Sequence, residues 1–202
     1  AGKTTTLKIL TGLMKPTSGR TKINGIDMQV DPFRAKTIIG YIPDMAFMYE
    51  RLTTSEFFEF TGRLYNVPAG AITAKREELF SLFSLLEQRA ALVRDLSHGM
   101  KQRLIYACTF LHEPKVLFID EPLIGLDPYT IRLIKDLLVA KARSGMTIFL
   151  TTHILALAED IADRIGIIHK GELVALGSLK ELLAQHPGTR TLEDLFLKLT
   201  EK

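Results

Sequence analysis

Cysteine is nearly missing from this chain. Cys108 is the single one among 202 residues, which excludes an internal disulfide and a cysteine-built zinc site and fits a reducing compartment. A surplus of either charge is also lacking. Lys and Arg number 26 against 23 for Asp and Glu, a net charge of +3. The pI near 9.0 therefore rests on few surplus charges and gives little reason to expect nucleic acid or an anionic membrane as a partner. Long apolar runs are absent too. Mean hydropathy is +0.14, yet no stretch approaches the roughly 18–20 residues that cross a bilayer, and no secretory signal is visible. There is no low-complexity segment, long linker or internal repeat. The opening, Ala1-Gly2-Lys3-Thr4-Thr5-Thr6, has no methionine and no strand before it, and reads as a chain that starts inside a motif. What is present, 47% hydrophobic and 24% charged residues, excludes disorder or a collagen- or mucin-like polymer. It suits one globular domain with room for a subdomain.

Hydrophobic period divides the chain. Residues 4–12 predict a short helix ending at Gly12. Residues 21–25 predict a strand and an Asn24-Gly25 turn, and residues 37–42 a strand stopped by Pro43. A helical block follows. Thr53 and Glu56 have capping-box spacing, with Phe57, Phe60 and Leu64 at helical intervals after them. Leu79, Leu82, Phe83 and Leu86 repeat the period, and Ser97 is placed to cap a third helix running to about Leu111. The pattern then switches to short apolar runs at 116–119 and 147–150, helices at 129–143 and 155–162, and a hairpin at 165–176 around Lys170-Gly171. Strands alternating with helices predict an α/β fold with a mostly parallel sheet. The sheet-bearing core takes residues 1–52 and 114–202, and 53–113 forms an inserted all-helical subdomain.

Gly2-Lys3-Thr4 matches the end of a G-x-x-x-x-G-K-[ST] phosphate loop, the mark of a P-loop NTPase core, whose first glycine would precede residue 1. In such a loop backbone N–H groups and the following helix N-terminus surround phosphate oxygens. Lys3 reaches the β/γ-phosphates, and Thr4 offers a hydroxyl to Mg²⁺. Taken alone, the tripeptide is equally a helix start with a solvated lysine. Val116-Leu117-Phe118-Ile119-Asp120-Glu121 adds a buried strand that delivers two carboxylates at its C-terminal end, where open α/β sheets place ligands. Asp120 can hold Mg²⁺, directly or through water. Glu121 can polarise an attacking water.

Leu96-Ser97-His98-Gly99-Met100-Lys101-Gln102-Arg103 resembles the signature motif of the ATP-binding-cassette (ABC) ATPases. It lies just upstream of Asp120-Glu121-Pro122, as in that family. Leu123-Ile124-Gly125-Leu126-Asp127-Pro128 resembles the family's D-loop, and Thr151-Thr152-His153 its switch-histidine loop. The resemblance implies ATP and Mg²⁺ as cofactors and a second ATPase domain, in a homodimer or heterodimer. ATP would lie between Gly2, Lys3, Thr4 and Thr5 of one copy and Ser97 and Gly99 of the other. Ser97 would supply a hydroxyl and also serve as an N-cap. Asp127 sits at the dimer seam or is merely part of an Asp-Pro turn before a helix. His153 would contact the γ-phosphate and orient the water. His112, His169 and His186 are left as surface or packing residues.

Two departures stand out. Asp44 follows Tyr41-Ile42-Pro43 where the family usually has glutamine, and either keeps a metal role or is a turn residue after proline. His98 and Met100 replace the usual glycine and glutamine of the signature. Because the adenine-stacking aromatic and the first half of the phosphate loop are not in the sequence, a chain beginning at Ala1 is expected to bind ATP poorly. The resemblance also implies a multi-span membrane permease as partner, a peripheral position on the cytoplasmic face of the cell membrane, and no nucleic acid. Phe47, Met48 and Tyr49 either fill a groove against that partner or pack inside. Leu192-Glu193-Asp194-Leu195-Phe196-Leu197 resembles the tails of ATPases serving ABC-2-type exporters, which favours export, or is simply a closing helix. The competing functions are a soluble ABC-type ATPase acting on ribosome or DNA, and a non-hydrolytic nucleotide-binding regulatory subunit.

Overall fold

From the N-terminus, α1 (Lys3–Leu10) leads through the hairpin β1 (Lys22–Ile23) and β2 (Ile26–Asp27) to α2 (Pro32–Thr37) and β3 (Ile39–Ile42). Three helices follow, α3 (Thr54–Leu64), α4 (Ala69–Leu82) and α5 (His98–Leu111). Then come β4 (Val116–Asp120), α6 (Pro128–Arg143), β5 (Thr147–Thr151), α7 (Leu155–Ile161), the hairpin β6 (Ile165–His169) and β7 (Glu172–Gly177), α8 (Leu179–Gln185) and α9 (Leu192–Thr200). This computed structural model describes residues 1–121, 123 and 126–200. Pro122 of the Asp120-Glu121-Pro122 run, and Ile124 and Gly125 of the D-loop-like stretch, lie outside the described residues.

The α/β class is as expected. β3, β4 and β5 form a parallel sheet in that order, with Ile42 opposite Ile119 and Asp120 opposite Thr151. The two hairpins are antiparallel, and both turn on left-handed pairs, Asn24-Gly25 and Lys170-Gly171. Alternation along β4 buries both its faces. Leu117 and Ile119 join a cluster with Phe58, Phe80, Leu104 and Ile134. Phe118 points into another with Leu7, Ile23, Ala35 and Ile39. Phe58, Phe80 and Phe83 are fully buried, each contributing about 1.5–3 kcal/mol against leaving it exposed. Among the described residues, 53–113 hold helices, two 3-10 turns and one isolated bridge, Thr53 to Leu92. Their apolar faces share one continuous core with β4 and α6.

Local signals and observed ends agree closely in several places. Thr53 and Glu56 form a reciprocal capping box at α3, and Ser97 caps α5, which ends at Leu111. Two expectations need correction. Residues 37–38 are not strand: Asp31 caps α2, Pro32 takes its first position, and β3 starts only at Ile39. The N-cap and proline were helix-start signals that the apolar run obscured. The inward faces of α3 and α4 are also rotated from the expected stripes. Phe57, Phe58 and Gly62 face in while Leu64 is exposed, and Ile72, Leu79 and Phe80 face in while Leu82 is partly exposed. The tail helix α9 docks through Leu192 and Leu195 onto Ile165, Ile167 and Leu182.

Candidate functional site

The site begins at Gly2, whose φ of +104° admits glycine without strain and turns the chain into α1. Its carbonyl accepts from the Thr6 amide and hydroxyl, each at 2.9 Å. Fully buried Leu7 anchors the helix against the cluster around Phe118. That anchoring aims the N-terminus of α1 at the C-terminal ends of the parallel strands. Lys3 Nζ donates to the Thr152 carbonyl at 3.2 Å and lies 3.8 Å from Glu121 Oε1. Thr4 and Thr5 are exposed, and among the described residues no hydrogen bond engages their hydroxyls.

The acids end β4. Asp120 is 2% exposed. Its Oδ1 accepts from the Thr151 hydroxyl at 2.5 Å, and its Oδ2 is buried with no partner. Glu121 leaves the strand in the left-handed region, φ +52°, a conformation that costs an acidic residue about 1–2 kcal/mol. Its amide still donates to the Thr151 carbonyl at 3.0 Å. The kink turns the Glu121 side chain away from Asp120 and toward the switch segment after β5. There His153 Nδ1 stands 2.9 Å from Oε1, and the His153 amide donates to Oε2 at 3.4 Å. Glu121 is 14% exposed and His153 62%, so the acid is sheltered while the imidazole faces outward.

Asp44 is exposed just past β3. Burial chiefly, and then the charges of Asp120 and Asp44, push the Tyr41 hydroxyl above the usual phenol range. Tyr41 thus senses both acids. Ser97 Oγ accepts from the Met100 amide at 3.2 Å, so its capping role is realised. Gly99 is different: a Cβ placed there would meet nothing within 4 Å. Asp127 caps α6, accepting from the Thr130 amide at 2.9 Å and the Thr130 hydroxyl at 2.7 Å. The Thr130 hydroxyl bond first, and the amide bond next, hold its carboxyl below the usual range.

The fold therefore brings Lys3, Glu121 and His153 into contact beside Asp120. No hydrogen bond or ion pair among the described residues ties Ser97, Gly99 or Asp127 to them. Sequence reasoning assigned no role to Tyr41 or to the Thr151 hydroxyl. The available signal was a threonine closing the apolar run Ile148-Phe149-Leu150. Of the candidate groove residues, Met48 packs in the core while Phe47 is 85% exposed, its ring edge-on to Tyr49 at 5.7 Å. His112 is a packing residue, stacked on Tyr65 at 3.6 Å, with Nε2 donating to the Ile39 carbonyl at 3.0 Å.

Among the described residues no group of three or more His, Cys, Asp or Glu converges as a metal cage. Mg²⁺ asks for less. It takes one or two carboxylates and a hydroxyl, with phosphates and water completing the shell. The orphaned Oδ2 of Asp120 and the unengaged hydroxyl of Thr4 fit that donor set.

An α/β core with a phosphate-loop helix, two acids ending a buried strand and a histidine closing on the second is the frame of a nucleotide-hydrolysing cassette. Residues 1–124 match the family described as ABC transporter. The chain belongs to the ABC transporter family and is one of its ATP-binding ATPase subunits. It is 35% identical to the ABC-type transporter ATP-binding protein EcsA of Bacillus subtilis (strain 168), over all of this chain and 82% of that protein. It is 35% identical to the daunorubicin resistance ATP-binding protein DrrA3 of Streptomyces coeruleorubidus, over 94% of this chain and 60% of that protein. A solved structure of an ATP-binding subunit of an ABC transporter superposes with a TM-score of 0.92 at 34% identity, covering 98% of this chain and 83% of that one.

Proposed function

We propose that this chain hydrolyses ATP at the Lys3–Glu121–His153 site to power export through a separate multi-span membrane subunit. The carrying observation is the convergence of Lys3, Glu121 and His153 beside the free Oδ2 of Asp120. Phosphoryl transfer needs mainly charge neutralisation and positioning. Lys3 leaves its contacts with Glu121 and the Thr152 carbonyl for the β/γ-phosphates, while the N–H groups opening α1 receive phosphate oxygens. Asp120 and Thr4, with Asp44 from the end of β3, hold Mg²⁺, which when bound neutralises phosphate charge. Glu121, released by Lys3, accepts a hydrogen bond from the attacking water. His153 keeps Glu121 oriented and meets the γ-phosphate.

In this reading a second copy completes the site. Its Ser97 and the N–H groups opening α5 approach the γ-phosphate, Gly99 leaves the space for that approach, and Asp127 aligns the two sites at the seam. Residues 53–113 act as the helical signature subdomain on a core of 1–52 and 114–202. Met45, Phe47 and Tyr49, 88%, 85% and 49% exposed, offer the permease an apolar surface. Among the described residues no helix is long and apolar enough to cross a membrane. In this reading the solute crosses through the partner, and the ATP-binding subunit sits on the cytoplasmic face. The drug-resistance role in the name of the DrrA3 relative and the tail helix support placement with ABC-2-type exporters.

The test is Glu121→Gln in the complete protein, followed by phosphate release and by nucleotide-dependent pairing. Turnover should fall by about 10²–10⁴-fold while ATP still drives two copies together. Parental turnover in the variant would remove Glu121 from the mechanism.

A further inference from the structure

Asp120 is held by one oxygen and free at the other. Oδ1 takes the Thr151 hydroxyl, and Oδ2, shielded from solvent, takes nothing. A carboxylate oxygen left this way is costly unless a cation or donor arrives. Thr151 lies directly opposite Asp120 in the parallel register. Side chains of residues paired in this way project from the same face of a sheet, which puts the Thr151 hydroxyl within reach of the Asp120 carboxylate. Thr151 is itself 7% exposed. A buried strand position favours Val or Ile as readily as Thr, so packing alone does not call for an oxygen. The same residue also receives the Glu121 amide on its carbonyl. One residue thus grips both acids, Asp120 by side chain and Glu121 by backbone.

We propose that Thr151 is a positioning residue for the cation site. By engaging Oδ1 it holds the Asp120 carboxylate against turning about its terminal torsion and leaves Oδ2 as the oxygen presented to Mg²⁺. The proposal rests on the reading of Asp120 as the cation's carboxylate. Outer partners of metal-binding carboxylates commonly set affinity in this way.

The experiment titrates Mn²⁺, read as loss of the free-ion electron paramagnetic resonance signal, into the complete protein loaded with a non-hydrolysable ATP analogue. Thr151→Val should weaken Mn²⁺ binding by about 10-fold or more. It should raise the Mg²⁺ concentration for half-maximal hydrolysis by a similar factor, leaving the ATP KM at saturating Mg²⁺ unchanged. Thr151→Ser, which keeps the hydroxyl, should restore binding to near the parental value, an outcome a merely structural role does not predict. Melting without metal or nucleotide checks folding. If Thr151→Val does not fold, Thr151→Ala makes the same comparison. Asp120→Asn separates the two claims. If it loses Mn²⁺ while Thr151→Val binds as the parent does, the positioning role is wrong. If Asp120→Asn also binds as the parent does, the reading of Asp120 fails and the proposal falls with it.

Discussion

Gly99→Ala should make this protein more stable and less active, a combination that few substitutions produce. Gly99 is the second residue of α5, after the Ser97 cap and His98. It carries no positive φ, and an added Cβ meets nothing within 4 Å. Within the chain, alanine therefore gains helix propensity and reduces unfolded-state entropy at no steric cost, about 0.4–1 kcal/mol. For a domain of this size that raises the melting temperature by about 1–4 °C. If a second copy's nucleotide approaches α5 here, the same methyl intrudes on the closed dimer, and closure requires contact within ordinary van der Waals distance. Melting without nucleotide and phosphate release at saturating ATP read the two effects separately. A Gly99→Ala protein that is stabilised and turns over at the parental rate would show that no close approach occurs at this residue. A destabilised one would show that the space around it is not free.

Other consequences can be checked as directly. Gly62 sits where α3 meets α4 and α5, and a Cβ there would fall 2.7 Å from Ile72 Cδ1 and 2.8 Å from Leu111 Cδ2. Gly62→Ala should therefore cost about 1–3 kcal/mol of overpacking, and an unchanged melting temperature would contradict that packing. Burial first, and Lys75 in addition, hold the His112 imidazole below its ordinary range, although its bond to the Ile39 carbonyl acts the other way. Since the unfolded chain takes up this proton near pH 6.5 and the folded chain only below that, stability is whole above the unfolded value. It declines as pH falls toward the folded value. His112→Phe keeps the stack on Tyr65 and should flatten that decline in denaturant melts; identical slopes in variant and parent would refute the assignment. Phe47→Arg should leave melting within the about ±0.5 kcal/mol of an ordinary surface change while abolishing co-purification with the membrane subunit. Retained co-purification and transport would move the docking surface elsewhere.

Features legible in the sequence depended on neighbours within a few residues. The Thr53–Glu56 box, the Ser97 cap and the Lys170-Gly171 turn are local hydrogen bonds and backbone preferences, readable from spacing alone. The apolar run at 116–119 was legible because a strand buried on both faces has no polar alternation to confuse it; the run at 147–150 was legible from its residue types alone, although Phe149 is exposed. The misread segments were those where local patterns competed. An apolar run at 37–42 concealed the end of α2. In α3 and α4 the apolar residues outnumber the places on the inward face, so spacing alone did not choose between Phe58 and Phe60, or between Phe80 and Leu82.

The residue types of the site belong to the sequence by itself: a lysine before threonines, two acids ending an apolar strand, a histidine ending another. Their joint geometry belongs to the tertiary structure. Lys3 and Thr152 are 149 positions apart, and only the parallel register and the anchoring of Leu7 bring them together. Which oxygen of Asp120 stays free, and that Met48 goes in while Phe47 stays out, were likewise decided by packing. Periodicity determines which faces a segment has, but pairing across strands determines what each face meets.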